Sequence, residues 1–184
     1  MFVVRFKSNM SDYENTFLQV RFPGPALSSW NVALDEVKFN LYFEGIEQYI
    51  PGMDVTMNFH CWDIQASDNL FYTDANALDF VRRKVDNFVI RDHVNTTQRA
   101  ASNYYPVTSA IIIEDTDLHE QMIVMSDRST GGSAFNNGTI EIMISRRHNT
   151  SDSLGNDESL NETEWIDGNL LGVRTPAKFI LKFT

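Results

Sequence analysis

Apolar and polar residues alternate with period two along much of this chain. Val37, Phe39, Leu41 and Phe43 are interleaved with Lys38, Asn40, Tyr42 and Glu44, and Val55, Met57, Phe59 and Cys61 with Thr56, Asn58, His60 and Trp62. Ile140, Ile142 and Ile144 alternate with Glu141, Met143 and Ser145, and Phe179, Leu181 and Phe183 close the chain in the same way. Successive side chains of a strand point to opposite faces, so each stretch predicts a strand with one face buried. Ala110–Ile113 and Gln121–Met125 are short apolar runs separated by Glu114-Asp115-Thr116-Asp117, which predicts a hairpin with a solvated acidic turn. Asn137-Gly138 suits a tight turn leading into the strand Thr139–Ser145.

Other segments carry different signals. PGPALSSW near residue 23 and Pro51-Gly52 are loop punctuation, and the Asn, Ser, Asp and Gly of residues 149–161 predict a mobile surface loop. Leu78, Val81, Val85, Phe88 and Val89 fall at helical spacing, and the segment reads either as one short amphipathic helix or as an irregular extended stretch. Strands with one apolar face are most simply buried by packing two sheets together. The expected fold is mainly β, an antiparallel β-sandwich with room for one short helix. Residues 1–184 are expected to form a single such domain or a fragment of one, since no repeat or linker divides them.

Composition narrows the function. A hydrophobic content of 42% argues for a folded chain. A formal charge of -10, with 15 basic residues scattered and adjacent only at Arg82-Arg83-Lys84 and Arg146-Arg147, disfavours a nucleic-acid partner. Cys61 is the one cysteine, which excludes an internal disulfide or a cysteine-based zinc site. No stretch is long and apolar enough for a membrane span, and MFVVRFKSNM turns polar before a signal-peptide core could form, so any targeting segment is expected outside this chain. N-x-S/T sequons at Asn9, Asn95, Asn137, Asn149 and Asn161 are candidate glycosylation sites; either an Asn-rich composition produces them by chance or the chain is lumenal.

Catalytic signals are sparse. A glycosidase needs two facing carboxylates, but the acidic residues cluster in stretches that read as solvated turns. His60, His93, His119 and His148 show no metal-ligand spacing, no serine lies in a G-x-S-x-G elbow, and Gly131-Gly132 is too short for a phosphate loop and reads as a backbone turn. Tyr42, Trp62, Tyr72, Tyr104, Tyr105 and Trp165 could stack on sugar rings or pack a β domain.

Five motifs occur in order. LFYTDANALDFVRRKVD at Leu70–Asp86 resembles the FYTDSNG…RR..D stretch of glycoside hydrolase family 38 α-mannosidases, and Asn103-Tyr104-Tyr105-Pro106-Val107 resembles that family's NYYPV. DRSTGGS at Asp127–Ser133 is similar to DRSxGGS, GTIEIMISRR at Gly138–Arg147 to G.xELMLHRR, and ESLNE at Glu158–Glu162 to ExLNE. Three departures mark a divergent member or a damaged copy. Ser145 stands where lysosomal-type members carry His, Ala77 replaces the Gly of DSNG, and HNTSDSL at His148–Leu154 differs from LLxDDxR.

The resemblance implies a β-sandwich of the galactose-mutarotase-like or supersandwich type, belonging to a retaining exo-α-mannosidase of the lysosome or secretory lumen. In that family the zinc ion and the Asp nucleophile belong to an α/β domain, and nothing here matches them. This chain alone is expected to be inactive, to hold no cofactor, and to have the catalytic domain of the same polypeptide as its partner, meeting the carbohydrate substrate only indirectly. Arg146 and Arg147 match the family's paired arginines and are the expected docking residues at the active-site rim. Tyr104, Tyr105, Pro106, Asp127 and Arg128 are expected to be structural. The alternative is a stand-alone carbohydrate-binding β-sandwich module.

Overall fold

A computed structural model describes residues 2–7, 17–22, 36–43, 45–46, 52–65, 69–87, 99–115, 117–148, 150–151, 153 and 159–184. The strands are β1 (Phe2–Lys7), β2 (Phe17–Phe22), β3 (Glu36–Phe43), β4 (Met53–His60), β5 (Leu70–Ala75), β6 (Asp79–Lys84) and, after helix α1 (Arg99–Asn103), β7 (Tyr105–Val107). They continue with β8 (Ala110–Asp115), β9 (Glu120–Ser126), β10 (Thr130–Ser133), β11 (Thr139–Arg147), β12 (Thr163–Ile166), β13 (Asn169–Gly172) and β14 (Thr175–Phe183). One sheet runs β1-β2-β3-β14-β9-β8-β5-β6, a second runs β4-β11-β10-β7, and β12 and β13 form a small ribbon. Every pairing is antiparallel.

The two large sheets pack face to face through the apolar positions that the alternation marked. Phe71, Ile111, Ile113 and Val124 from the eight-stranded sheet and Ile140 and Ile142 from the four-stranded sheet are fully buried in one core. Phe59 of β4 meets the ring edges of Phe39 at 5.2 Å and Phe179 at 5.7 Å across the sandwich. Edge-to-face contacts of this kind add to what burial contributes. The mainly β, antiparallel sandwich expected from sequence is thus the observed fold, with α1 as its short helix.

Three expectations change. Residues 78–84 are not helical: β6 pairs along its whole length with β5, and the helical spacing is coincidental because β6 buries neither face well. Phe88 and Val89 lie outside the described residues, as do the PGPALSSW stretch, Pro51, most of 149–161, and Asn9, Asn95 and Asn149. The acidic hairpin turn is not uniformly solvated. Asp115 is buried, and its carboxylate accepts N–H bonds from Gln65 (2.9 Å), Asp117 (3.0 Å) and Leu118 (3.0 Å). Those donors hold its carboxyl below the ordinary range against the opposing effect of burial.

Gly131-Gly132 forms part of β10 rather than a turn. A Cβ on Gly132 would stand 3.2 Å from Ile111 Cδ1 of the facing sheet, and one on Gly131 would stand 3.1 Å from the Tyr104 ring. Each glycine lets one layer approach one face of the strand.

Candidate functional site: a motif network and its Arg146 end

Four of the five motifs meet in space at described residues, and the fifth is reached at its last residue. Asp74, at the end of β5, accepts bonds from the backbone N–H groups of Thr108 (2.8 Å), Ser109 (2.9 Å) and Ala110 (3.1 Å), just after NYYPV, and from Ala77 (2.8 Å) in its own turn. Burial pushes its carboxyl up, but the four donors outweigh burial and hold it at about 2. Asp86 and Asn103 bond reciprocally: Asp86 N–H donates to Asn103 Oδ1 (2.8 Å) and Asn103 Nδ2 donates to Asp86 Oδ1 (3.0 Å). Arg83 stacks over the Tyr105 ring at 4.6 Å while its Nε donates to Thr73.

Tyr104 connects the remaining motifs. Its ring covers Gly131, and its hydroxyl donates to Glu141 Oε1 on β11. Burial, reinforced by Glu141, pushes this hydroxyl far above the ordinary tyrosine range, so it stays a donor. Asp127 accepts from Lys178 N–H (3.1 Å), and Arg128 donates to the Pro176 carbonyl, tying the β9–β10 turn to β14. These contacts join the β9–β10 turn, β7 and β11 to their neighbours.

The network ends at Arg146 and Arg147, and a β-bulge decides their orientation. Along β11 the residues Ile140, Ile142 and Ile144 face the core. The pairing then slips, Met143 standing opposite Thr56 and Ser145 opposite Val55, so that Ile144 is the extra residue. Beyond it the parity inverts: Arg147 turns inward and is buried, donating from Nη1 to the Glu162 carbonyl of ESLNE at 3.0 Å. Arg146 turns outward, directly across from Asp54 of β4.

Arg146 gives Nε to Asp54 Oδ1 at 2.7 Å and Nη2 to Oδ2 at 2.8 Å, a bidentate pair with side chains 36% and 39% exposed. His148 Nε2 lies 3.8 Å from Asp54 Oδ1. The hydrogen bonds from Arg146 hold Asp54 below the ordinary carboxylate range, and Asp54 in turn raises Arg146. A guanidinium has five N–H donors; two go to Asp54, leaving three with no bond to another described residue. Beside the pair is a shallow hollow of about 60 Å³ lined by Ser145, Arg146, Arg147, Leu160 and Val173, whose rim at Leu160 and Val173 is exposed and apolar.

Asp54 went unnoticed in the sequence because 92 residues separate it from Arg146. The only signal was its parity with the outward positions of β4. Asn137 and Asn161 are exposed, each in a turn or coil segment. Among the described residues no three His, Cys, Asp or Glu side chains stand together as metal ligands, and no helix is long and apolar enough to cross a membrane.

The fold and this network define an antiparallel β-sandwich whose recurrent motifs fasten its turns and strand ends together. Residues 56–153, just over half the chain, match the family described as Glycosyl hydrolases family 38 C-terminal domain, and the chain belongs to that family. It is 39% identical over 106 residues to a lysosomal alpha-mannosidase of Bos taurus, covering 56% of this chain and 10% of that protein. It is 38% identical over 103 residues to a probable alpha-mannosidase of Arabidopsis thaliana, again 56% and 10%. To the lysosomal alpha-mannosidase of Homo sapiens it is 38% identical over 101 residues, 53% and 10%. The chain spans about a tenth of the length of these curated relatives.

Proposed function

We propose that this chain is one β-sandwich unit of a retaining, zinc-dependent exo-α-mannosidase acting on mannose-containing glycans in the lysosome or secretory lumen. In this reading the zinc and the nucleophile reside on a catalytic domain elsewhere in the polypeptide, and the chain supports that domain. The observation that carries the docking role is the Arg146 guanidinium, oriented by Asp54 at the rim of the hollow with three N–H groups still to give. A planar donor fork of this kind holds carboxylates and carbonyls across an interface. Arg147 supports the same edge from behind by gripping the Glu162 carbonyl.

The 184-residue chain alone should not turn over a chromogenic α-mannoside; zinc-dependent turnover by it would sink the assignment of catalysis to another segment. Added in trans to the rest of the polypeptide, the chain should form a complex that Arg146→Ala weakens by about tenfold or more, the usual scale for losing a charged hydrogen-bond donor at an interface. Unchanged affinity would remove Arg146 from the docking role. Saturable heat on titrating the isolated chain with mannose oligosaccharides would favour the stand-alone binding module instead.

A further inference from the structure

The sequon Asn137-Gly138-Thr139 wraps one corner of the four-stranded sheet, at the far end of its outer face from Arg146. Every one of its residues touches the 60–65 segment. Cys61 N–H donates to the Gly138 carbonyl at 2.9 Å, and Gly138, at φ +66°, rests so closely on that segment that a Cβ there would stand 2.4 Å from the Cys61 carbonyl oxygen. Thr139 Oγ1 and His60 Nδ1 are 2.7 Å apart. Asn137 Nδ2 donates to Gln65 Oε1, and Gln65 in turn donates from Nε2 to the Trp62 carbonyl at 3.1 Å and from its backbone to Asp115 at 2.9 Å.

Out of this rigid corner projects Trp62, 83% exposed, its ring set perpendicular to that of His60 at 4.3 Å. Single exposed apolar side chains are ordinary. Trp62 differs from the equally bare Leu78 in lying between residues bonded to Asn137, Gly138, Thr139 and Asp115 and in having a polar ring beside it. His60 Nε2 has no hydrogen-bond partner among the described residues. Whichever tautomer Thr139 selects, this nitrogen offers a donor or an acceptor, and a sugar hydroxyl satisfies either.

We propose that Asn137 carries an N-linked glycan whose first sugar packs its apolar face on the Trp62 indole beside His60. The proposal rests on the lumenal part of the reading above. Its chemistry is transfer of an oligosaccharide from a lipid-linked pyrophosphate donor: the bond from sugar C1 to Asn137 Nδ2 forms, the bond from C1 to the pyrophosphate oxygen breaks, one amide proton leaves, and the lipid pyrophosphate is the leaving group. One amide N–H remains on Nδ2. An exposed Asn on a turn accommodates the glycan in the folded chain without displacing any core residue.

The test is glycopeptide mass mapping of the intact protein from eukaryotic cells, followed by thermal melts. Asn137 should be occupied. Bare Asn137 in a protein glycosylated at any other sequon overturns the proposal and leaves the lumenal reading standing, whereas a protein bare at all five sequons overturns both. Asn137→Gln should lower Tm by about 2–4 °C in the parent and by much less in Trp62→Ala, the loss of the turn side chain being common to both backgrounds and cancelling in the comparison. Equal shifts in the two backgrounds would show that the sugar does not rest on the indole.

Discussion

Asp74 and Asp54 are both held below the ordinary carboxylate range, and by opposite means. Asp74 is 4% exposed and satisfied by four backbone N–H groups, donors that folding has already fixed in place. Asp54 sits at the surface and is held chiefly by the Arg146 side chain, with His148 3.8 Å away; three of the Arg146 donors make no bond to another described residue. A carboxylate saturated by backbone closes a turn and has nothing left to offer. One that orients a guanidinium at a rim leaves the guanidinium's other donors uncommitted. Asp74 lies inside a motif and Asp54 outside all five, so it is the bonding partners, not the motifs, that tell the two carboxylates apart.

The contrast can be broken experimentally. Asp74→Ala has the largest expected effect: it strands three N–H groups of Thr108–Ala110 and should destabilise by about 3 kcal/mol in urea melts; a loss under about 1 kcal/mol would mean that these donors find water. Because the folded carboxyl lies at about 2 and the unfolded one near its ordinary ~3.9, the stabilisation is fully present above about pH 4 and lost as pH falls toward 2. Asp74→Asn should flatten that acid limb, and Asp54→Asn should change it less, since solvent screens an exposed pair.

Gly132→Ala comes next, at about 1–3 kcal/mol of overpacking against Val107 and Ile111; a neutral result would show that the sheets can separate there. Ala77→Gly should act in the other direction. Ala77 holds φ +58° beside Asn76 at +54°, a left-handed turn that costs a residue with a Cβ more than it costs glycine. A gain of up to about 1 kcal/mol is expected, offset in part by the freer unfolded chain. Arg146→Ala should change stability least, by under about 1 kcal/mol, as befits an exposed ion pair, while weakening interdomain association.

The elements legible in the sequence were those with one buried face. Val37–Phe43, Ile140–Ile144 and Phe179–Phe183 lie in strands, Val55–Cys61 does so as far as His60, and the hairpin of β8 and β9 and the turn at Asn137-Gly138 form where their residue types place them. β6 escaped because it is an outer strand with Phe80 and Val81 exposed, so no period-two contrast marks it. Asp115 escaped because composition reports charge and not partners. The bulge at Ile144 escaped because continued alternation would have turned Arg146 inward, and one extra residue reverses the assignment. The family resemblance marked the arginine pair; which of the two is buried depended on pairing across 92 residues.

The eight-stranded sheet ends on β6, whose outer ladder has no second neighbour among the described residues. Such a margin could template fibril growth by accepting the same segment from other molecules. A parallel, in-register stack would set Arg82 upon Arg82, Arg83 upon Arg83 and Lys84 upon Lys84, and three consecutive cations repeated every rung make that polymer self-repelling.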